Sequence, residues 1–255
     1  MNIRSKLTLL FLFIILAVAA SIALERSFEV KRLADIFTSS RAREEITFDK
    51  IVAIRNSRLE ALVEDYTFWD EMVEFTRTGD RGWAKENIDA SLPIFDVNAM
   101  WVYSRDCSLI YSSGGPKGPA AELPVSGEDI PSLFKDSKLC HFFIRAEKGL
   151  IEVRGATIHP TADWDRKTEP RGYLFAGILW DEKFLREMAS LTGTEVRFAT
   201  LHEKPAPDTS ANVMAGEARF LRDLWGWDGK PLAKIAVSFK SESIRHYNLM
   251  GQTIF

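Results

Sequence analysis

Residues 48–73 read FDKIVAIRNSRLEALVEDYTFWDEMV. Phe48, Val52, Arg55, Leu59, Leu62, Tyr66, Trp69 and Val73 step by four and three. That spacing is a helical heptad seam, with Arg55 as its one charged interruption. Such a seam packs along a partner copy, giving a homodimer through the long helix, or along its own domain. The sequence leaves both open. No Gly or Pro occurs from Met1 to Thr78, so the spacing predicts a long helix over 25–78. Leu33, Ile36 and Phe37 give it an apolar face upstream. The polar stretch Thr38–Glu45 breaks the register. Gly79 and Gly82 end it.

Toward the N-terminus, residues 1–6 carry Arg4 and Lys6 and no acid, and residues 7–24 carry no charge at all. At ~1.5 Å rise per residue this run crosses a hydrocarbon core. A signal peptide has a shorter apolar stretch and a small-x-small cleavage site, which Ala17-Val18-Ala19 or Ala20–Ala23 would supply. The length of the run and its unbroken continuation favour an uncleaved anchor. Either way the remainder is exported. The basic residues keep 1–6 in the cytoplasm, so the inner membrane is the expected partner of 7–24 and the periplasm the expected compartment of 25–250.

Beyond Gly82 the pattern changes. Trp83–Leu92 is a short helix stopped before Pro93. Ala99–Tyr103 and Leu109–Tyr111 read as a strand pair around Arg105–Ser108. A Gly/Pro-rich loop covers 114–127, and Glu128–Ser137 can be helical. Cys140–Arg145, Leu150–His159 and Tyr173–Trp180 are strands. Asp181 N-caps a helix to Leu191 that Gly193 closes. Glu195–Leu201, Ala218–Trp225 and Leu232–Phe239 are later strands, the last two joined at Asp228-Gly229. The class is α+β: a transmembrane helix continuing into a long helix, then a mostly antiparallel sheet with short helices in a sensor core over 83–240. An exit helix over 241–255 turns apolar from Met250, which suggests a second span just after residue 250. An ordinary C-terminal helix reads the same way.

The formal net charge of −3 offers no basic surface for nucleic acid. His141, His159, His202 and His246 lack ligand spacing, so no metal site is expected. No serine sits in a nucleophile elbow, and no nucleotide box or other cofactor motif is present. Glu71 and Glu74 read as a charged helix face rather than a glycosidase pair. No catalytic residue is assigned, and the chain is read as a non-enzyme. Cys107 and Cys140 are a possible disulfide in an oxidising compartment; two small buried thiols are the plainer reading.

Asp65-Tyr66-Thr67-Phe68-Trp69-Asp70-Glu71, followed by Phe75, resembles the hallmark of the fourth class of CHASE domains, the extracytoplasmic sensory domains of bacterial cyclases, phosphodiesterases and histidine kinases. Trp83, Asn87, Trp101-Val102-Tyr103, Leu109-Ile110-Tyr111, Gly172–Gly177 and Asp228–Ala233 are similar too. Where such folds usually place Gly in the first strand turn, this chain has Cys107-Ser108. The resemblance implies a PAS/Cache-like sheet. It also implies an input module, flanked by two spans, that senses an unknown small molecule or periplasmic protein and drives a cyclic di-GMP or histidine-kinase output. A membrane-anchored structural or adaptor protein is the alternative. The candidate ligand-binding residues are Tyr66, Trp69, Asp70, Trp101, Tyr103 and Arg154. Core packing competes for the aromatics. Asp70 holds a cationic ligand or bonds the amides of a neighbouring loop. Arg154 meets an anionic ligand group or pairs with Asp70.

Overall fold

The computed structural model describes residues 3–114, 123–204 and 216–241. Helix α1 spans Ile3–Tyr66. It holds an 18-residue window of mean hydropathy 2.9, none of it buried. By length and composition, that is one helix among the described residues able to cross a membrane.

The expected helix over 25–78 is two helices. Thr67, Phe68 and Trp69 interrupt it before α2, Asp70–Thr78. The Thr67 carbonyl is taken by the His159 amide at 2.8 Å, and the Thr67 hydroxyl bonds back to the Val63 carbonyl at 2.7 Å. Trp69 is extended, with φ −115° and ψ 121°. A carbonyl claimed by a distant loop cannot serve the next helical turn. Gly79, at φ 64°, closes α2 as expected.

Next come α3 (Arg81–Ala84), a π-helical turn (Lys85–Asp89) and α4 (Ser91–Phe95). Pro93 does not stop this segment. It lies in the first turn of α4, where a helix makes no use of the missing N–H. The helix expected over 128–137 is one 3₁₀ turn, Ile130–Phe134.

The chain forms two compact units. The first takes residues 1–46, 205–220 and 238–255. In its described part Leu33, Phe37 and Ser40 are buried, and the hydroxyls of Ser40 and Ser241 are 3.1 Å apart. The expected exit helix from residue 242 onward, and the span after residue 250, lie outside the described residues.

The second unit, residues 47–204 and 221–237, holds an antiparallel sheet of order β2-β1-β5-β4-β3. Its strands are β1 (Ala99–Ser104), β2 (Leu109–Gly114), β3 (Leu139–Ala146), β4 (Gly149–Ile158) and β5 (Gly172–Trp180). Every residue of β5 is buried, which explains its unbroken apolar run: both faces of the sheet are covered. One face carries Trp101, Tyr103, Tyr173, Phe175, Phe142 and Ile151, under Leu123, Val125 and Ile130. Gly155 belongs here because a Cβ would come within 2.4 Å of the Phe175 ring. The opposite face carries Met100, which meets Ser91 of the helical layer, and Glu152, which accepts from Asn56 of α1 and from Trp180 beside it in the sheet.

The seam on α1 is spent within the chain. Phe48, Leu59 and Leu62 are each no more than 2% exposed. Arg55, its charged interruption, pairs with Glu187 at 2.6 Å and lies 4.8 Å from the Phe184 ring centre. At these positions the seam packs on its own domain.

In the β1–β2 turn, Cys107 adopts φ 63°, the left-handed conformation for which Gly is usual. The departure from the family pattern changes the residue and leaves the turn intact. Helix α5 (Glu182–Thr192) is capped as the sequence predicts: Asp181 Oδ1 accepts from the Phe184 amide at 2.8 Å, and Gly193 ends it at φ 67°. Asp181→Ala is expected to cost about 1 kcal/mol in urea unfolding. A second sheet has the order β6-β8-β7, with β6 Glu195–Ala199, β7 Glu217–Trp225 and β8 Pro231–Lys240. Gly229 turns β7 into β8 at φ 71°.

Candidate functional site

The sequence candidates do not form one site. Tyr66, Trp69 and Asp70 flank the helix break. The Tyr66 ring meets Trp69 edge-on at 5.7 Å, Trp69 lies 5.3 Å from Trp83, and Trp83 stacks on Phe75 at 4.9 Å. The Tyr66 hydroxyl donates to the Asn87 carbonyl at 3.2 Å. Asp70 Oδ1 accepts from the Thr161 amide at 2.9 Å, and the Thr161 hydroxyl donates to the Phe68 carbonyl at 2.9 Å. The Trp69-Asp70 motif therefore clamps the 159–171 loop to the break between α1 and α2. Of the two roles open to Asp70, the loop-amide bond is the one formed.

His159 and Arg166 complete the clamp. Arg166 donates to the Thr67 hydroxyl at 2.7 Å and lies 4.0 Å over the Phe68 ring. His159 is buried between Asp163 and Thr157, at 2.9 and 3.0 Å. Burial lowers the His159 pKa. The Thr168 hydroxyl, then the Lys167 and Thr168 amides, hold the Asp163 carboxyl far below the usual carboxylate range. In both groups the folded state binds protons more weakly than the unfolded state. Stability is thus complete above the ordinary histidine value of ~6.5 and is lost as pH falls, first through His159 and then through Asp163 below ~4. A melting-temperature profile from pH 8 to 3 is expected to decline on the acid side, and Asp163→Asn to flatten its lowest part.

Trp101 and Tyr103 point to the other face of the sheet, into the apolar cluster with Phe175. Trp101 is fully buried and Tyr103 is 5% exposed. Arg154 does not reach Asp70. Its Nη1 pairs with Glu60 on α1 at 2.7 Å, and its Nε lies 3.7 Å from Glu152.

Cys107 and Cys140, the possible disulfide, are both free. Burial pushes the Cys140 thiol up to about 12 and raises that of Cys107. Thiolate is the reactive form. Non-reducing titration is expected to find two thiols per chain after unfolding and, in the native protein at pH 8, almost no labelling of Cys140.

A cavity of about 480 Å³ opens between the C-terminal half of α1 and the helix-facing side of the sheet. Phe48, Val52 and Asn56 of α1 form one wall. His141 and Phe143 of β3, Glu152 and Arg154 of β4 and Trp180 of β5 form another, and Arg222 and Trp225 of β7 contribute the rim. Its size falls in the range of small-molecule sites. At its floor is Glu152, fully buried. Glu152 Oε2 accepts from Asn56 Nδ2 at 2.6 Å and Trp180 Nε1 at 3.0 Å, tying helix to sheet. His141 Nε2 comes within 2.8 Å of Oε1 in a geometry that leaves Oε1 without a hydrogen bond. Asn56 Oδ1 and Arg154 Nε are likewise buried without one.

Sequence reasoning missed Glu152 and Asn56. One signal was present: Glu152 shares the parity of Arg154 in an otherwise apolar strand. No signal marked Asn56, which lies one residue beyond the seam. Among the described residues no group of three or more His, Cys, Asp or Glu side chains is placed to hold a metal ion.

The chain is similar to the periplasmic domain of Vibrio cholerae LuxQ at 11% identity and a TM-score of 0.52, over 78% of this chain and 99% of that one. It is also similar to the ligand-binding domain of the Pseudomonas fluorescens chemoreceptor CtaA, solved with L-leucine. There the identity is 12% and the TM-score 0.44, over 82% of this chain and 97% of that one. At such identity the LuxQ likeness concerns the fold alone: a long helix followed by antiparallel sheets. No curated protein matches the chain. The CHASE4 domain matches residues 52–199, from the cavity-lining turns of α1 to the end of β6. That is more than half of the sequence, and the chain belongs to the CHASE4 domain family.

Proposed function

We propose that the chain is the extracytoplasmic input domain of a bacterial membrane receptor. A small molecule occupies the cavity, and α1 carries the response toward the inner membrane and a cyclic di-GMP or histidine-kinase output absent from this sequence. One observation carries the reading. The helix that supplies Phe48, Val52 and Asn56 to the cavity is unbroken back to the apolar window. A ligand shifts such an element only by binding two of its positions unequally. The Asn56–Glu152 bond is the contact that distinguishes them, because it ties α1 to the sheet at the cavity floor. Packed elements of this kind switch between discrete positions rather than deforming smoothly.

The full chain in lipid nanodiscs, screened against a metabolite library by thermal shift, tests the reading. At a hundredfold excess over Kd, binding contributes about 2.7 kcal/mol, so a ligand is expected to raise the melting temperature by about 5–10 °C. Val52→Trp, which fills the cavity from α1, is expected to abolish the rise. A library without a single shift that Val52→Trp removes would sink the proposal.

A further inference from the structure

Granting the cavity as the ligand site proposed above, we infer that it takes a compact organic cation: a protonated primary amine on an apolar body. Two buried acceptors, Glu152 Oε1 and Asn56 Oδ1, lack hydrogen bonds. Their side chains are joined by the 2.6 Å bond between Asn56 Nδ2 and Glu152 Oε2, and both residues line the same cavity. Unsatisfied buried acceptors are uncommon and costly. A primary ammonium has three N–H donors and no acceptor, which is the complement of this pair.

The charge balance points the same way. Asp49, Glu152 and Asp223 line the cavity against Arg154 and Arg222. Arg222 is engaged by both oxygens of Asp49, each at 3.0 Å, and Asp223 by Lys234 at 3.5 Å. Arg154 is engaged by Glu60 at 2.7 Å, well inside its 3.7 Å approach to Glu152. Although Arg154 Nε lacks a hydrogen bond, its charge is already met, which argues against an anionic ligand. Glu152 keeps only the 3.7 Å approach of Arg154 Nε and the His141 ring at 2.8 Å, so of the three acids it has no lysine or arginine of its own.

The walls suit the rest of such a ligand. Phe143 and Trp180 stand edge to face at 5.2 Å, and Trp225 is 51% exposed. Aromatic faces accept both a cation and an apolar body. The His141 side chain is 43% exposed and stands over Oε1 without bonding it. It is the group that swings aside to admit the ammonium.

Benzylamine, benzyl alcohol and benzoate share a shape and differ in charge. Calorimetry on the full chain in nanodiscs at pH 7 is expected to show benzylamine binding at least tenfold tighter than the other two. Glu152→Gln is expected to erase that preference, and Val52→Trp to block binding. If Glu152→Gln does not fold, His141→Ala, at a half-exposed position, serves instead. It is expected to tighten benzylamine binding at least threefold and leave benzyl alcohol unchanged. Wild-type binding of the alcohol or benzoate as tight as that of the amine overturns the cation class. So does binding of none of the three, or an amine preference that survives Glu152→Gln. If Val52→Trp still blocks whatever binds, the cavity stands as the ligand site and only its chemical class is lost.

Discussion

Trp101→Ala is expected to destabilise the protein by about 3–5 kcal/mol, the cost of truncating a fully buried large aromatic. Trp101 is 0% exposed and lies opposite Phe175 across the β1–β5 register. Neither neighbouring strand can collapse into the space without breaking its ladder, so the void persists. Urea unfolding is the measurement, with an unchanged slope showing that the native state alone has been altered. The residue is a test between roles as well. A wall of a ligand pocket loses little stability when truncated and loses binding; a core residue does the reverse. A cost below ~1 kcal/mol would remove Trp101 from the core.

Glu152→Ala is expected to cost about 3 kcal/mol or more. It leaves the donors of Asn56 and Trp180 buried without an acceptor, and it removes a carboxylate from beside Arg154. Breaking a buried charged network from one side carries that scale of penalty. Glu152→Gln keeps an acceptor at the same place and is expected to cost about 1 kcal/mol. A double-mutant cycle pairing Glu152→Ala with Asn56→Ala is expected to show coupling of about 1–3 kcal/mol. Additive effects would mean that the helix is not tied to the sheet through this bond.

The reading of the chain as a long helix followed by an antiparallel sheet rests on local features. The absence of Gly and Pro before Gly79, the uncharged run over 7–24 and the Asp181 and Gly193 caps each act within a few residues. The same locality made the Trp69-Asp70 motif recognisable. It could not reveal what the motif touches. The Thr161 and His159 amides that meet it come from a loop some ninety residues away, and their capture of Asp70 and of the Thr67 carbonyl divides one expected helix into two.

Arg154 and Glu152 show the same division in the site. Alternation along β4 places both on one face of the strand. Which acid Arg154 would meet depended on whether Glu60 or Asp70 of the helical layer lay above it. Trp101 and Tyr103, equally apolar and aromatic in sequence, fell on the far face because β1 pairs β5 in the observed register. A strand's parity is written in its own residues, but which face meets the helices is set by how the whole sheet is covered.

Helix and strand identity, the apolar N-terminal run and the family hallmark were therefore determined by the sequence itself, because propensity, capping and periodicity operate over one or two turns. The break at Thr67, the packing of the seam on its own domain, and the cavity floored by Glu152 and Asn56 were decided only by tertiary structure. Each depends on a partner brought from far along the chain, and no local pattern records which one arrives.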